Sequence, residues 1–412
     1  MSQGMIFTAA KWILVAALMS YVFYSIQWRD TMLQRYQDTE TVTFGSIEGR
    51  WDASEVTFLP EPSEDAPNAI RVSPGLQSNN EIIEITPGFF TYLRNIRLHW
   101  FILGAGCYFL TVMFSGLRWW WLMHVNSLRV SPLEALKFTW IGVFFNNVVP
   151  GNTGGDVVKS VYIMKRCPDR RVAAVFSVIV DRALGMTALA LLSALIVLPF
   201  LQRFQAVAVG VWGFLVVIVL GTLAVTSQRV RRVLRLDNLL RTMPSRITEA
   251  LNRVGDAIRL YRTRVSGMVL WTIGSMFNHA LGVTSVLLVG YSLNVGVPWL
   301  EYYVLVPVIN IVSALPLAPN GWGVGEALYG QLFSQYGATY ITDAIDPEQV
   351  MRTRGVALSI LFRVHITMWS LLGGILILLQ RDRITQKDIE TEVGLEREEE
   401  GATHTDSTHI RS

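Results

Sequence analysis

The sequence has few cysteines and few charged residues for its length. Two cysteines among 412 residues, Cys107 and Cys167, do not support a disulfide framework. Charged residues make up 16% of the chain, whereas soluble globular proteins carry roughly 25%. No group of histidines, cysteines and acids has the spacing of a metal site, and no glycine-rich nucleotide loop follows a predicted strand. We therefore predict no cofactor and no metal.

Long apolar runs are present instead. A membrane-spanning helix needs about 20 mostly apolar residues, and six segments meet that length: 7–26, 100–123, 172–201, 206–226, 266–293 and 356–379. Two further apolar regions, 136–164 and 299–336, are interrupted by proline and glycine. The sequence predicts an all-α polytopic membrane protein with six full transmembrane helices and two Pro/Gly-broken re-entrant hairpins.

Basic residues are concentrated on one side of the predicted spans. The loop 227–264 contains ten arginines against three acidic residues, and the segment 27–97 contains six arginines against eleven acids. Because basic loops stay in the cytoplasm, we place the loop inside and the acidic segment outside. Both termini are then cytoplasmic, in the inner (plasma) membrane. Three tryptophans at 119–121, preceded by Arg118, indicate an interfacial aromatic belt.

These features divide the chain into four parts: a first transmembrane helix (1–26), a small extracytoplasmic insert (27–97), the main transmembrane domain (98–380) and an acidic tail (381–412), predicted to be disordered. Short β-like runs in the insert lie at 41–44, 55–59, 69–72 and 81–85. Thr86 as an N-cap and Pro87 at the first helical position predict a short surface helix over 88–97. Apolar spacing over 247–261 predicts an amphipathic helix, which either lies on anionic inner-leaflet lipids or packs on the bundle.

The two broken regions share one pattern. The first stops at Pro150, turns through glycines and resumes at Asp156, predicted as the N-cap of a half-helix that carries Lys159. The second turns through Asn320 and resumes with Glu326 in its first turn. Freed backbone groups cost several kcal/mol each in hydrocarbon unless they are satisfied, so paired breaks are typical of a transporter's binding site. Ordinary loops between short spans are the alternative.

Charged residues inside apolar runs form a second group of candidates. Asp181 and Arg182 lie about ten residues into the third span, and Arg363 lies inside the last. An intramembrane charge costs roughly 2.5–3.5 kcal/mol or more and indicates a functional site. We expect Asp181 to pair with Arg363, and Arg182 with Glu326. A structural ion-pair network between helices is a compatible interpretation.

Four motifs, in this order, resemble the lysylphosphatidylglycerol synthase transmembrane region, a family that includes flippase-like proteins. They are Arg118-Trp119, the block from Asn146-Asn147 to Gly154-Gly155-Asp156, the run from Asp181-Arg182 to Gly185, and the run from Pro316 to Glu326. The resemblance covers most of 100–379. It implies an inner-membrane protein linked to moving aminoacylated phosphatidylglycerol, polyprenol-linked sugars or hopanoids.

The chain departs from this family pattern in two places. Full synthases carry a soluble aminoacyl-transferase domain after the membrane region, but only the polar residues 381–412 follow the last span here. We therefore do not expect the chain to make lysyl-lipid itself, and a separate synthase or transferase is a candidate partner. The family's Arg-x-Gly-Gly-Asp pattern begins with Asn152 here, which leaves Lys159 as the nearest basic substitute.

We predict a lipid translocase whose two hairpins meet near the bilayer midplane and form a polar pocket open to lipid. Basic side chains would attract the headgroup phosphate, acids would cap the half-helices or contact a cationic headgroup, and asparagines would hydrogen-bond it. The candidate lipid-binding residues are Asn146, Asn147, Asp156, Lys159, Asp181, Arg182, Asn320, Glu326 and Arg363. No catalytic residue and no nucleic-acid partner is predicted.

Two other functions stay open. A membrane-embedded transferase with a lipid-linked donor would use Asp156 or Glu326 as a base, although the chain has no Asp-x-Asp metal motif. A scaffold acting through the insert predicts that deletion of 40–84 abolishes function while Asp156→Ala does not. No ATP-binding motif is present, so the source of energy is also open.

Overall fold

The computed structural model describes residues 13, 16–36, 39–61, 69–76, 82–148, 154–226, 264–314, 321–341, 344 and 346–379. Most of this part of the chain is helical. Its helices are α1 (Ala16–Ser25), α2 (Phe89–Arg94), α3 (Leu98–Val125), α4 (Pro132–Val148), α5 (Gly154–Arg166), α6 (Arg171–Val197), α7 (Gln205–Thr226), α8 (Val265–Ser292), α9 (Trp299–Ser313), α10 (Val324–Gly337) and α11 (Pro347–Leu378).

Four of these helices are long and apolar enough to cross a membrane: α3, α6 with its flanking turns, α8 and α11. Their outward faces expose large apolar side chains such as Leu110, Phe277 and Leu371, which suits contact with lipid. Helix α11 begins nine residues before the predicted span, because Asp346 accepts a hydrogen bond from the Gln349 amide at 2.9 Å and caps it. The protein is therefore a multi-pass membrane protein, while the count of six full spans stays a prediction.

Each predicted break separates two short helices that pack against each other. In the first pair, Asn146 of α4 contacts Gly155 of α5 near one end, and Glu134 pairs with Arg166 near the other, so the helices run antiparallel. Helices α9 and α10 also pack together. The four arms contain 17, 13, 15 and 14 residues, or about 20–25 Å at 1.5 Å per residue. Each is shorter than the roughly 30 Å hydrocarbon core. The re-entrant position of these hairpins stays a prediction.

Helices α4 and α5 approach each other closely at Gly142 and Gly155. A Cβ atom on Gly155 would lie 2.1 Å from the carbonyl oxygen of Gly142. Because that backbone atom cannot move independently, we expect Gly155→Ala to lower the free energy of unfolding by about 1–3 kcal/mol or more, measured by thermal unfolding in detergent. Gly142→Ala is the matched control, since its Cβ would mainly meet the flexible Lys159 side chain, at 2.8 Å. Equal losses would contradict this explanation.

The insert is a six-stranded antiparallel sheet with strand order β4-β3-β2-β1-β6-β5. Met32, Val56 and Phe58 form the centre of its apolar core, each no more than 1% exposed. The four β-like runs fall on β2, β3, β4 and β6, whereas β1 and β5 were missed. The strands are β1 (Asp30–Tyr36), β2 (Thr39–Glu48), β3 (Val56–Pro60), β4 (Ile70–Val72), β5 (Gly75–Leu76) and β6 (Ile82–Thr86).

The short helix α2 is capped from a distant part of the chain. Buried Asp30 accepts hydrogen bonds from the Gly88 amide at 2.6 Å, the Thr91 hydroxyl at 2.8 Å and the Ile47 amide at 2.7 Å. One carboxylate therefore joins β1, β2 and the start of α2. The prediction that Thr86 is the N-cap is wrong, because Thr86 ends strand β6 and Gly88 occupies the N-cap position.

Polar contacts fasten the insert to the helical part of the protein. The Asp52 carboxylate accepts hydrogen bonds from Arg97, just before α3, at 2.5 Å and from Asn294, just after α8, at 3.3 Å. From α11, Arg354 donates to the Tyr92 hydroxyl of α2 at 3.0 Å. The insert is thus held against the ends of three long helices.

This attachment is expected to weaken in acid. The hydrogen bond from Arg50 is the main cause that holds the Asp52 pKa below its usual value of 3.8, with a further contribution from Arg97. Because the folded-state pKa is the lower one, the stabilisation is present above pH 3.8 and is lost as the pH falls through the folded-state pKa. The protection factors of the insert's amides, which correct for the intrinsic pH dependence of exchange, should fall over that range in the wild type. Asp52→Asn should raise exchange at neutral pH and remove this contribution to the pH dependence. An unchanged acid profile in Asp52→Asn would contradict the assignment.

Four predictions lie outside the described residues. They concern the start of the first span, the amphipathic helix at 247–261, the side chain of Asn320 and the tail 381–412.

Candidate functional site

A cavity of about 380 Å³ lies where the ends of the two hairpins meet. Its wall combines the end of α4, the end of α9 and the start of α10 with the middle of α6 and α11. Segments more than 150 residues apart in sequence therefore build one site. The lining residues are Asn146, Arg182, Ile309, Asn310, Ser313, Ala314, Gly325, Tyr329, Ser359, Phe362, Arg363 and Ile366.

The first basic residue of the cavity is Arg182, on α6. Its guanidinium is bonded to the carboxylate of Asp156, which lies in the first turn of α5. Both side chains are partly exposed, Arg182 at 34% and Asp156 at 26%. This pair joins a long helix to the first hairpin.

The second basic residue, Arg363 on α11, forms the matching pair with the second hairpin. Its guanidinium is bonded to Glu326, donates to the Gly321 carbonyl at 2.9 Å and lies 4.5 Å from the centre of the Trp322 ring. Glu326 is 1% exposed and also accepts from the Gly323 amide at 2.8 Å. The prediction that Glu326 stands in the first turn of its helix is confirmed.

The cavity wall carries the cationic member of each pair. Arg182 and Arg363 line the cavity, whereas Asp156 and Glu326 are absent from its lining among the described residues. The first turn of α10 also contributes Gly325 to the wall, and a helix N-terminus carries a partial positive charge. The charged side chains that face a ligand are therefore positive. Each of the two arginines is nevertheless paired with a carboxylate that lies outside the wall.

A separate cluster of charges lies buried between α3, α5, α6 and α8. Asp181 accepts a hydrogen bond from Arg118 at 2.7 Å and lies 3.8 Å from the Lys159 ammonium. Arg118 also donates to the Ser275 hydroxyl at 3.0 Å, and Lys159 lies 4.2 Å from the centre of the Trp119 ring. The aromatic-belt interpretation is wrong for Arg118 and Trp119, because both are buried, Trp119 completely.

The predicted pairings of the intramembrane charges are wrong. Asp181 pairs with Arg118 and Lys159 rather than Arg363, and Arg182 pairs with Asp156 rather than Glu326. Successive residues of a helix point about 100° apart. Asp181 consequently faces the buried cluster while Arg182 faces the cavity.

The asparagines at the end of α4 have structural partners. The Asn146 side chain accepts from the Gly155 amide at 2.8 Å. It therefore takes the capping role predicted for Asp156, because α5 begins two residues earlier, at Gly154. Asn147 donates to Thr367 and Ser370 of α11, each at 3.2 Å. Of these two asparagines, only Asn146 also lines the cavity.

Sequence reasoning missed several residues of the cavity wall. Asn310 carried a usable signal, since it is the one polar side chain in the run 304–312. Tyr329 and Ser359 are common residues in membrane helices and carried none. Lys159, predicted to contact the ligand, does not line the cavity and lies in the buried cluster.

Comparison with known proteins gives a family match. The family model of the lysylphosphatidylglycerol synthase TM region matches residues 88–342. This range includes the two hairpins and the pair Arg182–Asp156, but not Arg363. A UPF0104 membrane protein of Pyrococcus horikoshii is 23% identical over 315 residues, covering 69% of this chain and 88% of the relative. No solved structure matches significantly.

Proposed function

The chain belongs to the family of the lysylphosphatidylglycerol synthase transmembrane region, and from this premise we propose that it is a lipid translocase. Its substrate is a lipid with a phosphate-bearing headgroup, which it moves between the leaflets of the inner membrane. Both termini lie in the cytoplasm, the basic loop 227–264 lies on the anionic inner surface, and the acidic insert lies outside.

The observation that carries the proposal is the cavity lined by Arg182 and Arg363 between the hairpin ends. Both arginines lie near the middle of helices long enough to span a bilayer. Charged groups at that depth are costly, and they typically mark a substrate pathway. Guanidinium groups bind phosphate through several hydrogen bonds at once, so the site suits a lipid phosphate in transit.

The hairpins support transport because each has a helix end at the cavity. Helices broken near the midplane are typical of transporters, in which their ends contact the substrate and small movements open the site to either side. Beside the cavity, an ion pair joins each hairpin to a long helix, α5 to α6 and α10 to α11.

Reconstitution into proteoliposomes tests this function. Wild-type protein should accelerate the exchange of fluorescent phosphatidylglycerol between leaflets. The paired substitutions Arg182→Gln/Asp156→Asn and Arg363→Gln/Glu326→Gln remove the cavity cations without leaving a lone acid. Each should slow exchange by at least about tenfold, equivalent to about 1.4 kcal/mol of barrier.

Arg171→Gln, at the cytoplasmic end of α6, is the matched control and should exchange lipid at the wild-type rate. Circular dichroism and gel filtration confirm that each variant is folded. A wild-type rate equal to that of empty vesicles would overturn the proposal. Formation of a new lipid product from a polyprenyl-phosphate donor would instead support the transferase alternative.

A further inference from the structure

Neutral polar side chains also line the cavity beside the arginines, and three of them are Asn310, Tyr329 and Ser359. The Tyr329 side chain is 4% exposed, and its hydroxyl has no hydrogen-bond partner among the described residues. A buried polar group without a partner costs about 1–3 kcal/mol. Such groups are rare and call for an explanation such as a ligand.

Asn310 adds a second polar group to the wall from helix α9. It is exposed although it stands in an apolar stretch of α9, and within the described part of the chain its amide group has no recorded hydrogen bond. Ser359 is 3% exposed and lines the same wall from α11. The wall thus offers an amide and two hydroxyl groups on three different helices, all close to the cationic side.

The charges of the wall exclude one kind of headgroup. Among the described residues that line the cavity, none is acidic, because Asp156 and Glu326 are held by Arg182 and Arg363. A cationic headgroup, such as an aminoacyl ester, would bring its ammonium against two guanidinium groups without a carboxylate in the wall. Because both carboxylates are already bonded to the arginines, such an ammonium would gain no charged partner in the wall.

Building on the proposed function, we infer that the translocated lipid carries a phosphate followed by a neutral headgroup with hydroxyl groups, such as glycerol or a sugar. Arg182 and Arg363 bind the phosphate. Tyr329, Asn310 and Ser359 hydrogen-bond the hydroxyl groups and determine specificity. The volume of about 380 Å³ lies at the small end of ligand pockets, which suits a headgroup whose acyl chains remain in the bilayer.

The test compares three lipids in the proteoliposome exchange assay: phosphatidylglycerol, phosphatidic acid, which lacks headgroup hydroxyls beyond the phosphate, and lysyl-phosphatidylglycerol, which carries ammonium groups. Phosphatidylglycerol should move fastest, by about fivefold or more. Tyr329→Phe should slow it by about five- to tenfold, the loss expected for one hydrogen bond, without changing the rate for phosphatidic acid. Asn310→Leu should have the same selective effect.

Tyr302→Phe is the matched control. Tyr302 is also completely buried, and its hydroxyl also has no partner among the described residues, but it does not line the cavity. It should leave all three rates unchanged. Equal wild-type rates for the three lipids, or a Tyr329→Phe variant without a selective loss, would overturn the inference while leaving the translocase function intact. Transport of none of the lipids would overturn both.

Discussion

Replacing Asp181 by asparagine is expected to lower the free energy of unfolding by about 3–5 kcal/mol, the usual cost of breaking a buried ion pair from one side. Asp181 is the carboxylate that contacts both Arg118 and Lys159, and all three side chains are at most 10% exposed. Without it, two cations stay buried among apolar helices. Thermal unfolding in detergent and the yield of folded protein measure the loss. Asp169→Asn, at an exposed acid just before α6, is the control and should be neutral.

The same cluster should respond differently to the loss of a cation. Asp181 serves two cations at once, so Lys159→Met leaves it paired with Arg118 through the 2.7 Å hydrogen bond. We expect the free energy of unfolding to change by less than about 1.5 kcal/mol, since a flexible apolar side chain fills similar space. Lipid exchange should continue at the wild-type rate. A Lys159→Met variant as unstable as Asp181→Asn would contradict this account of the cluster. A stable Lys159→Met variant that does not transport lipid would show that Lys159 contributes to the lipid site.

Glu326→Gln is expected to have the second largest effect, again about 3–5 kcal/mol. Glu326 is 1% exposed and is bonded to Arg363, so the substitution leaves a largely buried guanidinium without its carboxylate. Glutamine keeps an oxygen that accepts from the Gly323 amide, which separates the loss of charge from the loss of the helix cap. Thermal unfolding in detergent measures the change.

The double variant Arg363→Gln/Glu326→Gln provides the decisive comparison for this pair. With both charges removed, it should recover most of the stability that Glu326→Gln loses. It should nevertheless exchange lipid at least about tenfold more slowly than the wild type, because the cavity has lost one of its two cations. A double variant no more stable than the single one would show that Glu326 stabilises the fold through its cap rather than through its charge.

The sequence was most informative where structure depends on local chemistry. Clusters of proline and glycine destabilise a helix, so the ends of α4 and α9 and the start of α10 were predictable, although the single Pro307 lies inside α9. Apolar length likewise located α3, α6 and α8. The acid at the start of α10 was recognisable because a carboxylate in a first turn stabilises the helix.

Contacts between distant residues were less predictable. Asp181 and Arg182 are adjacent, and the sequence does not fix how α6 is rotated against its neighbours, so their partners were assigned wrongly. Arg118 was misinterpreted because three tryptophans beside an arginine are also typical of a membrane interface. Strand β1 contains Asp30, Gln34 and Arg35, yet it lies inside the sheet, where pairing with β2 and β6 compensates for its polar composition.

In the proposed translocase, the two ion pairs at the cavity would also affect how readily a lipid is released. Each arginine has its own counter-ion within the protein, so the empty site leaves no isolated charge in the bilayer. A bound phosphate must compete with Asp156 and Glu326 for the guanidinium groups, and these carboxylates regain the full interaction when the lipid departs. In the proposed translocase, this competition would keep the affinity modest and the release fast.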